Sequence, residues 1–317
     1  MRFVEEHRDK HGVEPIIDAL QGTCAEIAPS TYYAARARPP SARAVADQLT
    51  LAKVKAIHAA NYGVYGARKT WRALTRQDYV VARCTVERVM RANGIAGISK
   101  AKSPRTTIPG PVGSRPDDLV RRAFTAAGPN QLWVADITYI RTFSGWVYAA
   151  FVMDMYSRRI VGWQVSTSLH TTLALDALEM GLWNRDRAGH TRGPRSETAD
   201  LIHHSDRGVQ YRAVRYTERL EDAEVVASVG SKGDSYDNAA AEAFNSTFKS
   251  ELIRNPRILA EQGPWRSIDD VEIAVAEWIE WYNTARLHGS LGDIPPTEYE
   301  STYYAENAPS QPVGATP

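Results

Sequence analysis

Apolar positions recur along the chain in two rhythms, and the change between them divides the sequence. Residues 1–30 begin polar, with one short helix predicted where Ile16, Ile17 and Leu20 share a face. From 44 to 58, Val45, Leu49, Leu51, Val54 and Ile57 fall at spacings near those of a buried helical stripe, which Asn61-Tyr-Gly63 ends. A second helix is expected from Gly66 through Trp71 and Leu74. A third is expected to start at Thr85 as N-cap, to turn Val86, Val89 and Met90 inward, and to stop at Asn93-Gly94. Short helices joined by short turns, the last carrying Arg83, Arg88 and Arg91, predict a helix-turn-helix unit that binds DNA.

Residues 99–116 are dense in Pro, Gly, Ser and basic side chains, the composition of an exposed linker. Beyond it the rhythm becomes that of strands, at 132–140, 146–156 and 159–166, with Ser144-Gly145 in the first turn. A helix at 171–184, a strand at 201–204, a helix at 214–221 and a strand at 225–229 follow. A long helix starts near Tyr236, and a last one spans 267–287, with Ser267 and Asp270 in a capping-box pattern. The order βββ-α-β-α-β-α predicts an α/β class, a mixed sheet covered by helices. The domain plan is 1–40 helical, 41–98 helix-turn-helix-like, 99–126 linker, 127–302 core, and a disordered tail at 303–317.

Charge sharpens this picture. Residues 1–122 carry 21 Lys and Arg against 11 Asp and Glu, while the remainder carries 17 against 26, so the net charge of +1 conceals a basic front and an acidic back. A basic front suits a polyanion and an acidic back suits cations. No apolar run reaches the ~18–20 residues that cross a bilayer, and the charged opening is unlike a signal peptide, so a cytoplasmic protein is expected. Cys24 and Cys84 lack the spacing of a zinc site and read as reduced, structural thiols.

Three acids carry the candidate chemistry. Asp136 interrupts an apolar strand, Asp206 ends another, and Glu242 lies in the first turns of a helix. A carboxylate in such a run is costly unless paired or metal-bound, and three acids meeting at one sheet edge make a hard-oxygen site for Mg²⁺ or Mn²⁺. Two such ions suit phosphodiester transfer. Asp154 reads as structural, capping or pairing with Arg158 or Arg159. His203 and His204, adjacent on a strand, face opposite ways and read as satisfied structural groups. Arg207 could hold a phosphate or orient a carboxylate, and Asp237 is a candidate cap for the helix bearing Glu242. Trp278, Trp281 and Tyr282 read as core, whereas Arg286 and His288 are candidates to touch DNA or another subunit.

The pieces Trp133-Val-Ala-Asp136-Ile-Thr-Tyr, Asp154-Met-Tyr-Ser-Arg-Arg-Ile-Val-Gly-Trp163, His203-His-Ser-Asp206-Arg-Gly-Val-Gln-Tyr211, Ser235-Tyr-Asp-Asn-Ala-Ala-Ala-Glu242 and Trp281-Tyr-Asn-Thr-Ala-Arg-Leu-His288 occur in this order. Together they make residues 130–299 resemble the catalytic core of DDE transposases and retroviral integrases, and more closely the second-frame (OrfB) protein of the IS-three family of bacterial insertion sequences. Ser30-Thr-Tyr-Tyr33 and Tyr62-Gly-Val-Tyr-Gly-Ala-Arg68 resemble the helical segment that precedes that core. The 35 residues between Asp206 and Glu242 match the family spacing.

The resemblance implies an RNase H-like, five-stranded mixed sheet and a catalytic trio of Asp136, Asp206 and Glu242 holding two Mg²⁺ or Mn²⁺ ions. It implies cleavage and 3′-OH strand transfer at insertion-sequence ends through a circular intermediate, without a covalent protein–DNA bond. Lys249 matches the family's basic DNA contact seven residues after Glu242, a spacing that puts both on one helix face with Asn238 and Asn245. DNA, further copies of the chain and a first-frame (OrfA) protein or fusion are the implied partners, at the bacterial nucleoid. A non-catalytic DNA-binding regulator and a purely hydrolytic RNase H-type nuclease are the rival readings.

Overall fold

The structure, a computed structural model, describes residues 1–99, 126–189, 201–206, 208–229 and 239–307. The linker expected between 99 and 126 falls almost wholly outside these residues, as do Arg207, Asp237, Asn238 and the tail from 308. The chain forms two compact units, Met1–Lys53 and Val54–Pro317.

In the first unit, α1 (Arg2–His11), α2 (Val13–Ala19) and α3 (Pro29–Ala37) gather Val4, Ile16, Ile17 and Tyr32 into a small core. Ile16 and Ile17 are buried as their shared face predicts. Val45 and Leu49, at the start of α4 (Ala42–Ala60), are exposed, contrary to the expected stripe. A helical stripe predicts a face and is silent on what covers it. Only its later members, Val54 and Ile57, meet a core.

In the second unit, α5 (Ala67–Arg76) and α6 (Arg83–Ala92) follow α4. The cap of helix α6 is Ala82, three residues before the expected Thr85, without a side-chain cap bond; Arg83 pairs with Glu87 one turn on, extending the helix backwards. Then come β1 (Leu132–Thr142), β2 (Gly145–Asp154), β3 (Ile160–Ser166), α7 (Thr171–Arg187), β4 (Ile202–Ser205), α8 (Val214–Asp222), β5 (Val226–Val229) and α9 (Ala239–Phe248). A π turn at Lys249–Ile253 leads to α10 (Pro256–Gln262), α11 (Ile268–Thr284) and α12 (Pro296–Glu306). Helix α12 occupies residues that the sequence pattern assigned partly to a disordered tail. At the head of α11 the capping box is displaced by one residue: Ser267 makes no side-chain cap bond, and Asp270 accepts from the Arg266 backbone at 3.0 Å.

The sheet order is β3-β2-β1-β4-β5, antiparallel for β1–β2 and β2–β3 and parallel for β1–β4 and β4–β5, the expected mixed five-stranded RNase H-like arrangement. Helices cover both faces. Trp133, Ala135, Val152 and Val161 pack with Leu173 and Leu178 of α7 and Tyr216 and Leu220 of α8. The approach of α7 is so close that a Cβ on Gly162 of β3 would lie 1.9 Å from the Ala177 carbonyl oxygen. On the other face Val134, Ile140 and Phe151 meet Phe244 and Phe248 of α9 and Val275 and Trp278 of α11.

That second core also takes in Tyr65, Leu74, Val86 and Met90, so the segment from Val54 through α6 is fused to the sheet by burial. Two motifs of the sequence meet there. The Tyr65 hydroxyl accepts from Leu287 N (2.8 Å), and Trp281 Nε1 donates to Asn61 Oδ1 (3.1 Å). Arg68 and Arg72 reach the buried Asp293 carboxylate at 2.7 and 3.2 Å, and Arg76 binds Glu298. Part of the basic front is thus spent on the acidic back within one molecule. Arg286 and His288, read as candidates for DNA or another subunit, are buried instead. Arg286 binds Glu251 of the π turn (2.7 Å), and the His288 imidazole lies 3.3 Å from the Tyr282 carbonyl. Trp278, Trp281 and Tyr282 are core, as expected.

Candidate active site

Parallel pairing sets the site. The last registered pair of β1 and β4 is Ala135↔Ser205, so Asp136 and Asp206 occupy the next step on neighbouring strands. Asp136 turns toward α9: its Oδ2 accepts from Asn245 Nδ2 at 2.8 Å and its Oδ1 from Ile137 N at 2.9 Å. Glu242 stands in the first turn of α9, three residues before Asn245, and therefore one turn away on the same side. A helix N-terminus is where a carboxylate is favoured.

Asp206 closes a tight turn in which its Oδ1 accepts from Gly208 N (2.9 Å). A Cβ on Gly208 would come within 2.9 Å of that oxygen, so a larger residue there would displace the Asp206 side chain.

The electrostatics are those of crowded acids. Withdrawal from water, then the charge of Asp206 and, more weakly, of Glu242, push Asp136 up to about 7; the Ile137 amide and Asn245 oppose this. Asp206 is exposed as a residue, yet the protein around its carboxyl withdraws it from solvent and raises it, against the Gly208 amide. Among the described residues, no three His, Cys, Asp or Glu side chains are gathered tightly enough to hold a metal ion.

Lys249, half-buried at the start of the π turn, is lowered by burial and by Arg254, while Asp136 raises it. The expected DNA contact Asn245 is nine-tenths buried and serves Asp136. Arg83 and Arg91 are exposed on α6 and Arg88 is half-buried; they belong to a different element from the acids.

The two decoys are structural. His203 is buried, 3.1 Å from the Tyr216 hydroxyl, and His204 lies 3.0 Å from Ser228 Oγ on the other face. Asp154 is fully buried; it caps the following turn by accepting from Tyr156 N and Ser157 N, and its ion-pair partner is Arg185 of α7 rather than Arg158 or Arg159, Arg159 binding Glu300 of α12. Cys24 and Cys84 are free and exposed. No described helix is long and apolar enough to cross a membrane.

Two family models described as "Integrase core domain" match residues 126–235 and 224–296, and one described as "HTH-like domain" matches 44–103. The chain is 49% identical over 280 residues to a putative transposase for insertion sequence element IS986/IS6110 of Mycobacterium tuberculosis, covering 88% of this chain and 97% of the relative. It is 43% identical over 310 residues to the transposase for IS629 of Shigella sonnei, covering 96% and 97%. It is also 34% identical over 244 residues to the transposase InsF for IS3A of Escherichia coli K12, covering 75% and 77%. Among solved structures, the HTLV-2 integrase catalytic core domain in complex with magnesium is similar at TM-score 0.42 and 12% identity, covering 56% of this chain and 99% of that one. The chain belongs to the IS-three family of insertion-sequence transposases, with an HTH-like segment ahead of an integrase core.

Proposed function

We propose that Asp136, Asp206 and Glu242 are the catalytic carboxylates of this transposase and hold two Mg²⁺ or Mn²⁺ ions. The observation that carries this is the position of Asp136, beside Asp206, tied to α9 through Asn245, and raised to about 7 by burial and neighbouring acids. A set of hard oxygens whose members oppose each other's ionisation suits a divalent cation. When bound, the ions supply a hydroxyl nucleophile and stabilise the leaving oxygen of a phosphodiester. The side chains orient this chemistry: Asn245 holds Asp136 by one oxygen, Gly208 N holds Asp206, and Lys249 offers a positive charge beside Asp136 for a phosphate.

The substrate is DNA at the ends of the element, cut to free a 3′-OH that then attacks a second phosphodiester. The arginines of α6, Arg83, Arg88 and Arg91, together with Arg207 and Asn238, are proposed to contact DNA, with salt-sensitive affinity. Joining two ends requires more than one copy of the chain, and a first-frame partner or fusion supplies further end recognition. The protein acts in the bacterial cytoplasm, at the nucleoid.

The test is incubation of a labelled element end with Mg²⁺ or Mn²⁺. Joined products are expected, and Glu242→Gln is expected to lower joining by at least ~10³-fold, about 4 kcal/mol of barrier, while DNA binding persists. Cut products alone would indicate a hydrolytic nuclease, and binding without turnover a regulator.

A further inference from the structure

The β1–β2 hairpin carries a second surface that the carboxylate chemistry leaves unused. Alternate residues of a strand share a face, so Ile137, Tyr139 and Arg141 lie on the side of β1 opposite Asp136. Ile137 packs at the margin of the core under α7, whereas Tyr139 runs on beyond it and is 52% exposed. Across the ladder, Tyr139 pairs with Tyr148 and Arg141 with Trp146. The two tyrosine rings meet edge to face at 5.4 Å, the Arg141 guanidinium lies 5.3 Å from the Trp146 ring centroid, and Trp146 is 51% exposed. Phe143, in the turn, is 76% exposed.

This surface is rigid. Phe143 N and Ser144 N donate to the carbonyls of Trp265 and Arg266 at 3.0 and 2.9 Å, and Thr142 Oγ1 bonds Gly145 O across the turn at 2.9 Å. Large rings held outward on a pinned turn lose little freedom when something binds them. The patch also adjoins the acids: withdrawal from water and then the charge of Asp206 raise the Tyr139 phenol. Along β1, Tyr139 lies three steps from Asp136, about 10 Å at strand rise, or roughly three stacked nucleotides.

We propose that Tyr139, Arg141, Trp146 and Tyr148 form a stacking platform for unpaired nucleotides of the DNA strand that leads away from the reacting phosphodiester. Base faces in a duplex are already covered by their neighbours, so rings of this kind recognise unpaired bases, and an arginine among them adds attraction for both base and phosphate. The inference rests on Asp136 and Asp206 marking the place where the phosphodiester reacts.

The experiment is fluorescence anisotropy of the full chain with a labelled oligothymidylate of about twelve nucleotides and with a duplex of equal length, in EDTA. Tyr139→Ala and Trp146→Ala are each expected to weaken the single strand about tenfold and the duplex less than about twofold, and Trp146→Phe to keep most of the affinity. Arg141→Gln, which removes no ring, serves if an alanine variant folds poorly: single-strand affinity falls and its salt dependence becomes shallower. Equal losses on both probes, or none, would overturn the platform. So would unchanged oligonucleotide affinity with a smaller assembly in sedimentation, which would make the patch an interface between copies. Because the assay contains no metal and reads no turnover, its failure leaves the carboxylate assignment standing, and an active Glu242→Gln would sink that assignment alone.

Discussion

Asp154 ends β2 and Asp136 lies in β1, so the two acids stand on adjacent strands of one sheet, both in apolar runs. Asp154 is answered completely. It accepts from Asn130 N (2.7 Å), from Tyr156 N and Ser157 N (3.0 Å each) and from Ser157 Oγ (3.1 Å), and faces Arg185, which also binds Glu300. Asp136 has two neutral donors, and its charged neighbours include two further acids. The acid that serves the fold has a cation folded in beside it, whereas the acid proposed for phosphoryl transfer is left for a metal to balance. On that proposal, charge balance separates the two carboxylates better than burial does, since Asp154 is the more deeply buried.

Breaking the satisfied corner gives the largest effect. Arg185→Met would leave the buried Asp154 without its cation and Glu300 with Arg159 alone. Removing one partner of a buried ionic set costs about 3–5 kcal/mol. For a unit of this size that lowers Tm by roughly 10 °C or more. Calorimetry should show the loss, while activity per folded molecule at low temperature stays near wild type. A Tm unchanged within about 2 °C would mean that the corner does not carry the charge balance assigned to it.

The unsatisfied corner should behave in the opposite sense. Asp136 titrates near 7 in the folded chain against about 3.9 when unfolded, so its protonated form stabilises the fold below about pH 4, and that contribution is lost as pH rises through about 7. In EDTA, Asp136→Asn should therefore gain on wild type between about pH 4 and 7, at up to about 1.4 kcal/mol per pH unit and about 4 kcal/mol in all. Mg²⁺ at a hundred times its Kd should close most of that gap, adding about 2.7 kcal/mol to wild type and little to Asp136→Asn. Parallel pH profiles of the two proteins, without metal, would show that Asp136 does not feel its acidic neighbours.

Much of this was legible in one dimension. The strand rhythm located β1 to β5 to within a few residues, because a period of two is set locally by which face is buried. Asp136 stood out as an acid where an apolar residue belonged. What the sequence hid is long-range pairing. Arg185 near the end of α7 reads as an ordinary surface residue, and Glu300 lay close to a stretch read as tail; only folding brings them to Asp154. The basic face of α5 likewise read as a polyanion surface until Asp293 and Glu298 appeared opposite it. The Asn245–Asp136 bond was hidden for a related reason: helical spacing put Asn245 on the side of Glu242, but nothing local says that this side closes onto β1.

Asn245 gives the smallest and most discriminating effect on the contrast between the two corners. Its Nδ2 holds one oxygen of Asp136, and its Oδ1 is buried without a hydrogen-bond partner among the described residues. Asn245→Ala therefore removes a useful donor together with an unsatisfied acceptor, and stability should move by no more than about 1 kcal/mol. The loss should fall on the carboxylate, which is freer to turn and harder to ionise. The Mg²⁺ concentration for half-maximal joining should rise about tenfold, as when a group orienting a metal ligand is removed, while DNA affinity in EDTA holds within about twofold. If DNA affinity drops and the Mg²⁺ midpoint stays in place, Asn245 touches the substrate, and Asp136 is left with one fewer group to hold it than the hydrogen bond implies.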